Sequence, residues 1–169
     1  MTDDVRIRAE GACEVLEAAS VRLRDALEAW KSGRPVEQVS LSESEESAHA
    51  AVARLDGKHA SIVEFASLRS QLDAEVKAWS AKFGFIPTAD QLPLRFSGTM
   101  WRVSFMPLRA NVVVTARELI VGRKTIALDA IRSVSREAGT HLIVEHADGS
   151  LTLTPDDESE LDAVRDALR

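Results

Sequence analysis

The side chains able to ligate a metal or carry a covalent intermediate are thinly spread along these 169 residues. Four histidines occur, His49, His59, His141 and His146. A structural or catalytic metal needs three or four nitrogen, sulfur or oxygen donors brought to one point. On a helix, His49 and His59 point about 80° apart and stand well separated along the axis. On a strand, His141 and His146 point to opposite faces. No cysteine or paired carboxylate completes a ligand set around either pair, so structural or surface roles are expected. Cys13 is the one cysteine. A nucleophilic thiolate needs an activating base, and no neighbour in sequence supplies one, so a small buried or half-buried side chain beside Ala12 is expected. Asp156, Asp157, Glu158, Glu160 and Asp162 lack the glycine and alternating ligand order of a calcium loop and suit a helix N-terminus instead. Gly57-Lys58 lacks the upstream glycine of a phosphate-binding loop, and neither a dinucleotide fingerprint nor a nucleophile elbow occurs. No catalytic, cofactor-binding or metal-binding residue is assigned, and the expectation is a protein that is not an enzyme and uses no cofactor.

What remains is the chemistry of binding. Trp30, Trp79 and Trp101 are large enough to anchor an interface, although each also fits an apolar face that a core would cover. Phe105, Met106, Pro107 and Leu108 form a continuous apolar run that alternating strand burial does not account for, so one face of it is a candidate binding surface. Charge is divided around it. From Arg95 to Arg136 eight basic residues stand against Glu118 and Asp129, whereas from Glu137 to Arg169 nine acids stand against Arg165 and Arg169. The candidate interaction residues are Trp101, Phe105, Met106, Leu108, Arg95, Arg102, Arg123 and Lys124.

The net charge of −6 disfavours general nucleic-acid binding, which needs an excess of Lys and Arg on one face. One cysteine permits no internal disulfide. The charged start, Met1-Thr2-Asp3-Asp4-Val5-Arg6, leaves no room for the apolar stretch of a secretory signal. Uncharged runs such as Ala110 to Ala116 fall far short of the roughly 20 residues a membrane-spanning helix requires. A cytoplasmic protein is expected.

The elements that must position these residues change character midway. From Val5 to Trp30 apolar and small residues fall at Val5, Ala9, Ala12, Leu16, Ala19, Leu23, Ala26 and Trp30. Alternating steps of four and three make a seam along one helix face. Lys31-Ser32-Gly33-Arg34-Pro35 stops the helix. A second start lies at Ser42-Glu43-Ser44-Glu45, with capping-box spacing, and capping also accounts for most of the acidic serine tract Ser40 to Ser47. The apolar series then runs from Ala48 to Phe83. Asp56-Gly57-Lys58 interrupts it, since glycine inside a helix costs about 1 kcal/mol relative to alanine, and one long helix, bent there, is preferred. The pair forms a helical hairpin over 1–84, with helices about 3–31 and 42–83 joined through a seam containing Leu16, Leu23, Leu55 and Leu72.

After a linker, 85–93, the period falls to 2. Strands are expected at Leu94–Ser97, Met100–Met106, Asn111–Thr115, Glu118–Val121, Thr125–Leu128, Ile131–Ser135, His141–His146 and Ser150–Leu153. Turns such as Ala138-Gly139 and Asp148-Gly149 make them an antiparallel meander. A last helix is expected with Thr154 as its cap and Pro155 at its first position, burying Leu161, Val164 and Leu168.

Within 94–169, the order Thr115-Ala116-Arg117-Glu118-Leu119-Ile120-Val121, Ile126-Ala127-Leu128-Asp129-Ala130-Ile131, Leu142-Ile143-Val144, Asp148-Gly149 and the helix from Pro155 to Leu168 resembles the bacterial PH-like superfamily, including its GRAM-type modules. The resemblance implies a curved sheet of about seven strands plugged by one helix, serving as a scaffold for peptides, proteins or lipid headgroups, with no catalytic residue to carry over. The expected fold is α+β, an N-terminal helical hairpin followed by this module. The expected function is non-catalytic protein–protein interaction or adaptor work. A protein partner and a homodimer through the helical half are anticipated, and nucleic acid is not. The alternative is peripheral binding to an anionic membrane surface through the basic segment 95–136.

Overall fold

The computed structural model describes residues 3–36, 38–55, 57, 59–105 and 107–169, with side chains described outside 3–5 and 38–43. Asp56, Lys58 and Met106 therefore lie outside the described residues, and the helix start expected at Ser42 falls instead at Gln38, which leaves Ser42 inside the helix. The chain resolves into two compact units, residues 1–79 and 80–169.

In the first unit α1 spans Asp3–Lys31, α2 spans Gln38–Val52, and α3 begins at Ala60 and runs to Phe83. The seam on α1 is buried as its spacing requires, at Ala12, Leu16, Ala19, Leu23, Ala26 and Trp30. Ser20 and Leu27 are buried beside it, which widens the covered stripe beyond what one neighbour needs. Two neighbours cover it. Arg22 donates to Ser44 Oγ at 2.6 Å on α2, which returns antiparallel to α1 as the hairpin partner. Along α3 the contacts climb in the same direction as on α1: Arg24 pairs with Glu64, and Trp30 meets Trp79 edge to face at 5.7 Å. Between α2 and α3 they run oppositely, Glu45 to Arg69 at 2.6 Å and His49 against Phe65 at 6.3 Å.

The single helix expected over 42–83 is thus two helices, separated by residues 53–59. An unbroken helix would carry Phe65, Leu72 and Trp79, a strict heptad, away from α1. Folding back buries all three, and each such side chain contributes roughly 1.5–3 kcal/mol, more than a break near Gly57 costs. Leu55 falls in the connection and is only half-buried.

In the second unit the last turn of α3 leads to a seven-stranded antiparallel sheet of order β4-β3-β2-β1-β7-β6-β5. The strands are β1 Phe96–Val103, β2 Ala110–Val114, β3 Glu118–Val121, β4 Lys124–Ala127, β5 Ile131–Glu137, β6 His141–His146 and β7 Gly149–Thr154, followed by α4 at Ser159–Ala167. This is the expected α+β arrangement, a seven-stranded antiparallel sheet followed by a C-terminal helix. The two strands expected over 94–106 are one. β1 pairs with β2 from Phe96 to Trp101 and with β7 at Arg102 and Val103, and a bulge between Gly98 and Trp101 turns it from one partner to the other. Bulges add the local bend that lets one strand serve two sheet faces. Met100, at φ 68°, absorbs the bulge. A Cβ on Gly98 would come within 2.8 Å of the Phe96 ring and 2.9 Å of Trp101 Nε1, so the residue there has none. Alternate residues of both sheet halves, with Leu161, Val164, Ala167 and Leu168 of α4, close the core around Trp101.

The last helix starts later than its composition suggests. Thr154 remains in β7, where its hydroxyl lies 2.8 Å from His141 Nδ1, and Pro155 is buried before the turn. Glu158 stands at the N-cap without a side-chain cap bond, and Asp157 before it accepts the Ser159 N–H on Oδ1 at 2.9 Å.

Two outcomes follow from this packing. Leu23→Ala is expected to cost about 2–5 kcal/mol, because Leu23 is 2% exposed, and Ile7→Ala, 62% exposed, less than about 0.5 kcal/mol; melting curves of the two variants test the contrast. Hydrogen bonds from the backbone and side chain of Ser159 hold the Asp157 carboxyl below its ordinary value of 3.8. A depressed folded value stabilises above the unfolded one and loses that contribution as pH falls through it. Asp157→Asn should therefore lessen the drop in melting temperature on acidification below 3.8, with little change in slope above it.

Candidate functional site

Beyond the point where β1 has turned onto β7, the chain crosses to β2 through Ser104–Arg109 without a ladder to bury it. Ser104 is the last tie, exchanging hydrogen bonds with Thr152 at 3.1 and 3.0 Å. Past it Phe105 is 47% and Leu108 74% exposed, and Pro107 faces solvent. The described members of the apolar run read from sequence, Phe105, Pro107 and Leu108, accordingly lie at the surface.

A cleft lies on each side of this loop. One, of about 650 Å³, is walled by Phe105 and Arg109 of the loop, the β3–β4 turn at Gly122, Arg123 and Lys124, and Phe83 and Gly84 at the end of α3. Gly122 takes φ 59°, the left-handed conformation a two-residue hairpin turn demands, and this places Arg123 and Lys124 at the rim. Asn111 fixes the geometry: its side-chain N–H donates to the Lys82 carbonyl at 2.7 Å, and its own carbonyl accepts the Gly122 N–H at 2.9 Å. The Lys124 ammonium sits 5.0 Å from the centre of the Phe105 ring, a cation–π contact that holds both at the mouth. The second cleft, of about 680 Å³, is lined by Met100, Arg102, Val103, Pro107, Leu108 and Arg109. The bulge puts Met100 at 55% exposure. Arg109 borders both clefts and pairs with Asp156.

Among the described residues, every charged one lining the two clefts is a cation, and no carboxylate, imidazole or thiol lines them. Arg102 and Arg123 make no ion pair among the described residues. The surface can bind and orient a ligand through apolar contact and charge.

Of the residues singled out from sequence, Arg102, Phe105, Leu108, Arg123 and Lys124 line these clefts, and Met106 lies outside the described residues. Trp101 does not belong to the surface. It is fully buried, stacked edge to face on Phe96 at 5.9 Å, with its indole N–H donated to Glu160 at 2.9 Å. The bulge turns it inward. Arg95 lines neither cleft; its guanidinium reaches the carbonyls of Ala167 and Ala116 at 3.4 and 3.5 Å. Arg109, Met100 and Asn111 were missed. Arg109 was counted in the basic segment, and only its position at the base of the loop distinguishes it.

The histidines form no metal centre among the described residues. His49 Nδ1 is 2.7 Å from the Glu45 carbonyl oxygen. His146, 5% exposed, accepts the Asp148 N–H on Nδ1 at 3.3 Å.

No family model matches the chain, and no curated protein does either. Among solved structures it is similar to the linker-DH/PH domains of p115-RhoGEF, with a TM-score of 0.43 and 9% identity over 88% of this chain and 52% of that one. The Vav1 exchange factor, in a structure concerned with its PH and C1 domains, gives a TM-score of 0.41 and 9% identity over 97% of this chain and 60% of that one. The complex of human RhoA with the DH/PH fragment of PDZRHOGEF gives 0.35 and 13% identity over 74% and 49%. The chain spans about half to three-fifths of the length of these structures.

Proposed function

We propose that this protein is a non-catalytic interaction or adaptor module whose PH-like unit takes a polypeptide partner across the β1–β2 loop. One observation carries the reading: Met100, Phe105 and Leu108 project into solvent between two clefts whose charged residues, Arg102, Arg109, Arg123 and Lys124, are all basic. Exposed apolar side chains gathered at one place mark an interaction surface, and arginine is over-represented where such surfaces carry binding energy. The complementary ligand is a segment with a large apolar residue beside acidic ones. As part of the same reading we place the module with bacterial GRAM-type members and its work in the cytoplasm. A second copy would cover the exposed Ile7, Val21 and Val63 of the helical unit, giving a homodimer.

A second reading, attachment to an anionic membrane, is favoured by the convergence of Arg109, Arg123 and Lys124 on one cleft beside exposed Phe105. Each basic residue near such a surface contributes about 1 kcal/mol. The net charge of −6 opposes the approach of the whole chain to that surface.

Peptide display against the wild-type protein, counter-selected on a Leu108→Asp/Arg102→Glu variant, should enrich acidic peptides with an apolar anchor. Their affinity should fall at least about tenfold in the variant, a loss of about 1.4 kcal/mol. Peptides that bind both forms equally would sink the assignment of the surface. With phosphatidylserine vesicles at physiological salt we expect no co-sedimentation; strong sedimentation that Arg123→Glu/Lys124→Glu abolishes would put the membrane reading first. For self-association, light scattering should give twice the 18.5 kDa chain mass at micromolar concentration, and the single-chain mass would remove the dimer.

A further inference from the structure

Folding draws one acidic residue against the basic clefts. Among the described residues Arg109 alone lines both of them, and its Nη1 donates to Oδ2 of Asp156, 47 positions further along the chain. Asp156 lies in the connection between β7 and α4, directly after the buried Pro155. Its carboxylate takes no part in starting the helix, since the Ser159 N–H goes to Asp157. Among the described residues Arg109 is its one hydrogen-bond and ion-pair partner. Both side chains reach solvent, so the pair is screened and adds little to stability. The fold does not need this contact, and its consequence falls on the cation that the two clefts share.

We propose that Asp156 is a built-in competitor for Arg109: it holds the place of an acidic side chain of the partner and is displaced when the partner binds. The inference rests on the reading of this surface as the site of an acidic polypeptide segment. The exchange is of one carboxylate for another on one guanidinium. A guanidinium presents its donors in a rigid fork that matches a carboxylate, so the group that takes over from Asp156 is an aspartate or glutamate of the partner. An apolar side chain of the partner lodged against Phe105 or Leu108 brings its neighbouring acid to Arg109 at high effective concentration, and the exposed pair yields. An anion without such an anchor gains no such advantage and meets a guanidinium that is already occupied. Asp156 therefore sets specificity, acting through Arg109: it weakens every acidic ligand, and isolated anions lose more than anchored segments can recover by apolar contact. Arg102 and Arg123, which have no ion pair among the described residues, need no such release.

The test titrates a rhodamine-labelled Glu-Glu-Leu-Trp-Glu-Glu peptide into the full chain, read by fluorescence anisotropy, and compares Asp156→Asn with Asp148→Asn. Each variant removes one exposed acid. Asp148 sits in the β6–β7 turn and lines neither cleft, and Asn-Gly suits that turn as well as Asp-Gly, so Asp148→Asn reads the effect of net charge alone. Asp156→Asn should tighten binding about threefold more than Asp148→Asn does, and no gain should be measurable in an Arg109→Gln background. Phenylglyoxal labelling without peptide, mapped by mass, should modify Arg109 about threefold faster in Asp156→Asn than in wild type, with Arg123 unchanged. Equal tightening by the two asparagine variants would overturn the proposal, as would a gain that survives in Arg109→Gln or an unchanged labelling rate at Arg109. A marked fall in the melting temperature of Asp156→Asn would overturn it too, because the carboxylate would then serve the fold. Each of these results leaves the surface assignment standing, whereas a peptide that binds neither wild type nor Asp156→Asn removes both.

Discussion

Strand β1 has to hydrogen-bond with β2 over its first half and with β7 over its second, and a straight strand of eight residues cannot do both around one core. The bulge between Gly98 and Trp101 resolves this by inserting an extra residue, which Met100 takes up in a left-handed conformation that non-glycine residues adopt at a cost of order 1–3 kcal/mol. That cost is offset by what the bend delivers. It drives Trp101 fully into the core, where its N–H finds Glu160 and so ties α4 to the strand. It also carries the following segment clear of the sheet, which is why Phe105 and Leu108 stand in solvent. The buried anchor and the exposed loop arise from one irregularity in one strand.

Folding also redistributes the charge that the sequence separates. Members of the basic segment meet acids from outside it: Arg109 pairs with Asp156, Arg136 reaches Asp162 at 3.4 Å, and Arg117 approaches Asp90 at 3.8 Å. Pairs this exposed are screened by solvent and contribute little, so they do not hold the fold. Their effect is local. They neutralise three of the eight cations in the basic segment; of the five left, Arg102, Arg123 and Lys124 stand at the two clefts, and Arg95 and Arg132 do not.

In the helical unit the governing quantity is the width of the apolar stripe on α1. A seam of alternating threes and fours satisfies one partner, and the added burial of Ser20 and Leu27 requires a second. The chain supplies it by ending α2 at Val52 and returning as α3. His59, at the start of that return, is set against Cys13 by the same move.

Local pattern alone determined the extent of α1, whose seam and stop are written within thirty residues, and all but the first pair of strands, whose period of two and turn residues are contiguous in the chain. It also marked 105–108 as a stretch that strand burial would not absorb. It could not determine the break in the second helix, because the gain from folding Phe65, Leu72 and Trp79 back depends on α1. For Trp101 the sequence offered both a core and an interface place, and the bulge decided for the core, since a one-residue bulge reverses the face on which a side chain lies. Asp156 read correctly as an acid near a helix start, yet its pairing with Arg109 joins positions far apart in the chain. The Cys13–His59 contact is a similar case: the two stand 46 positions apart, and only the three-helix packing brings sulfur and imidazole together. Periodicity is a property of neighbours along the chain, and the chemistry of this protein lies between residues that are neighbours only after it folds.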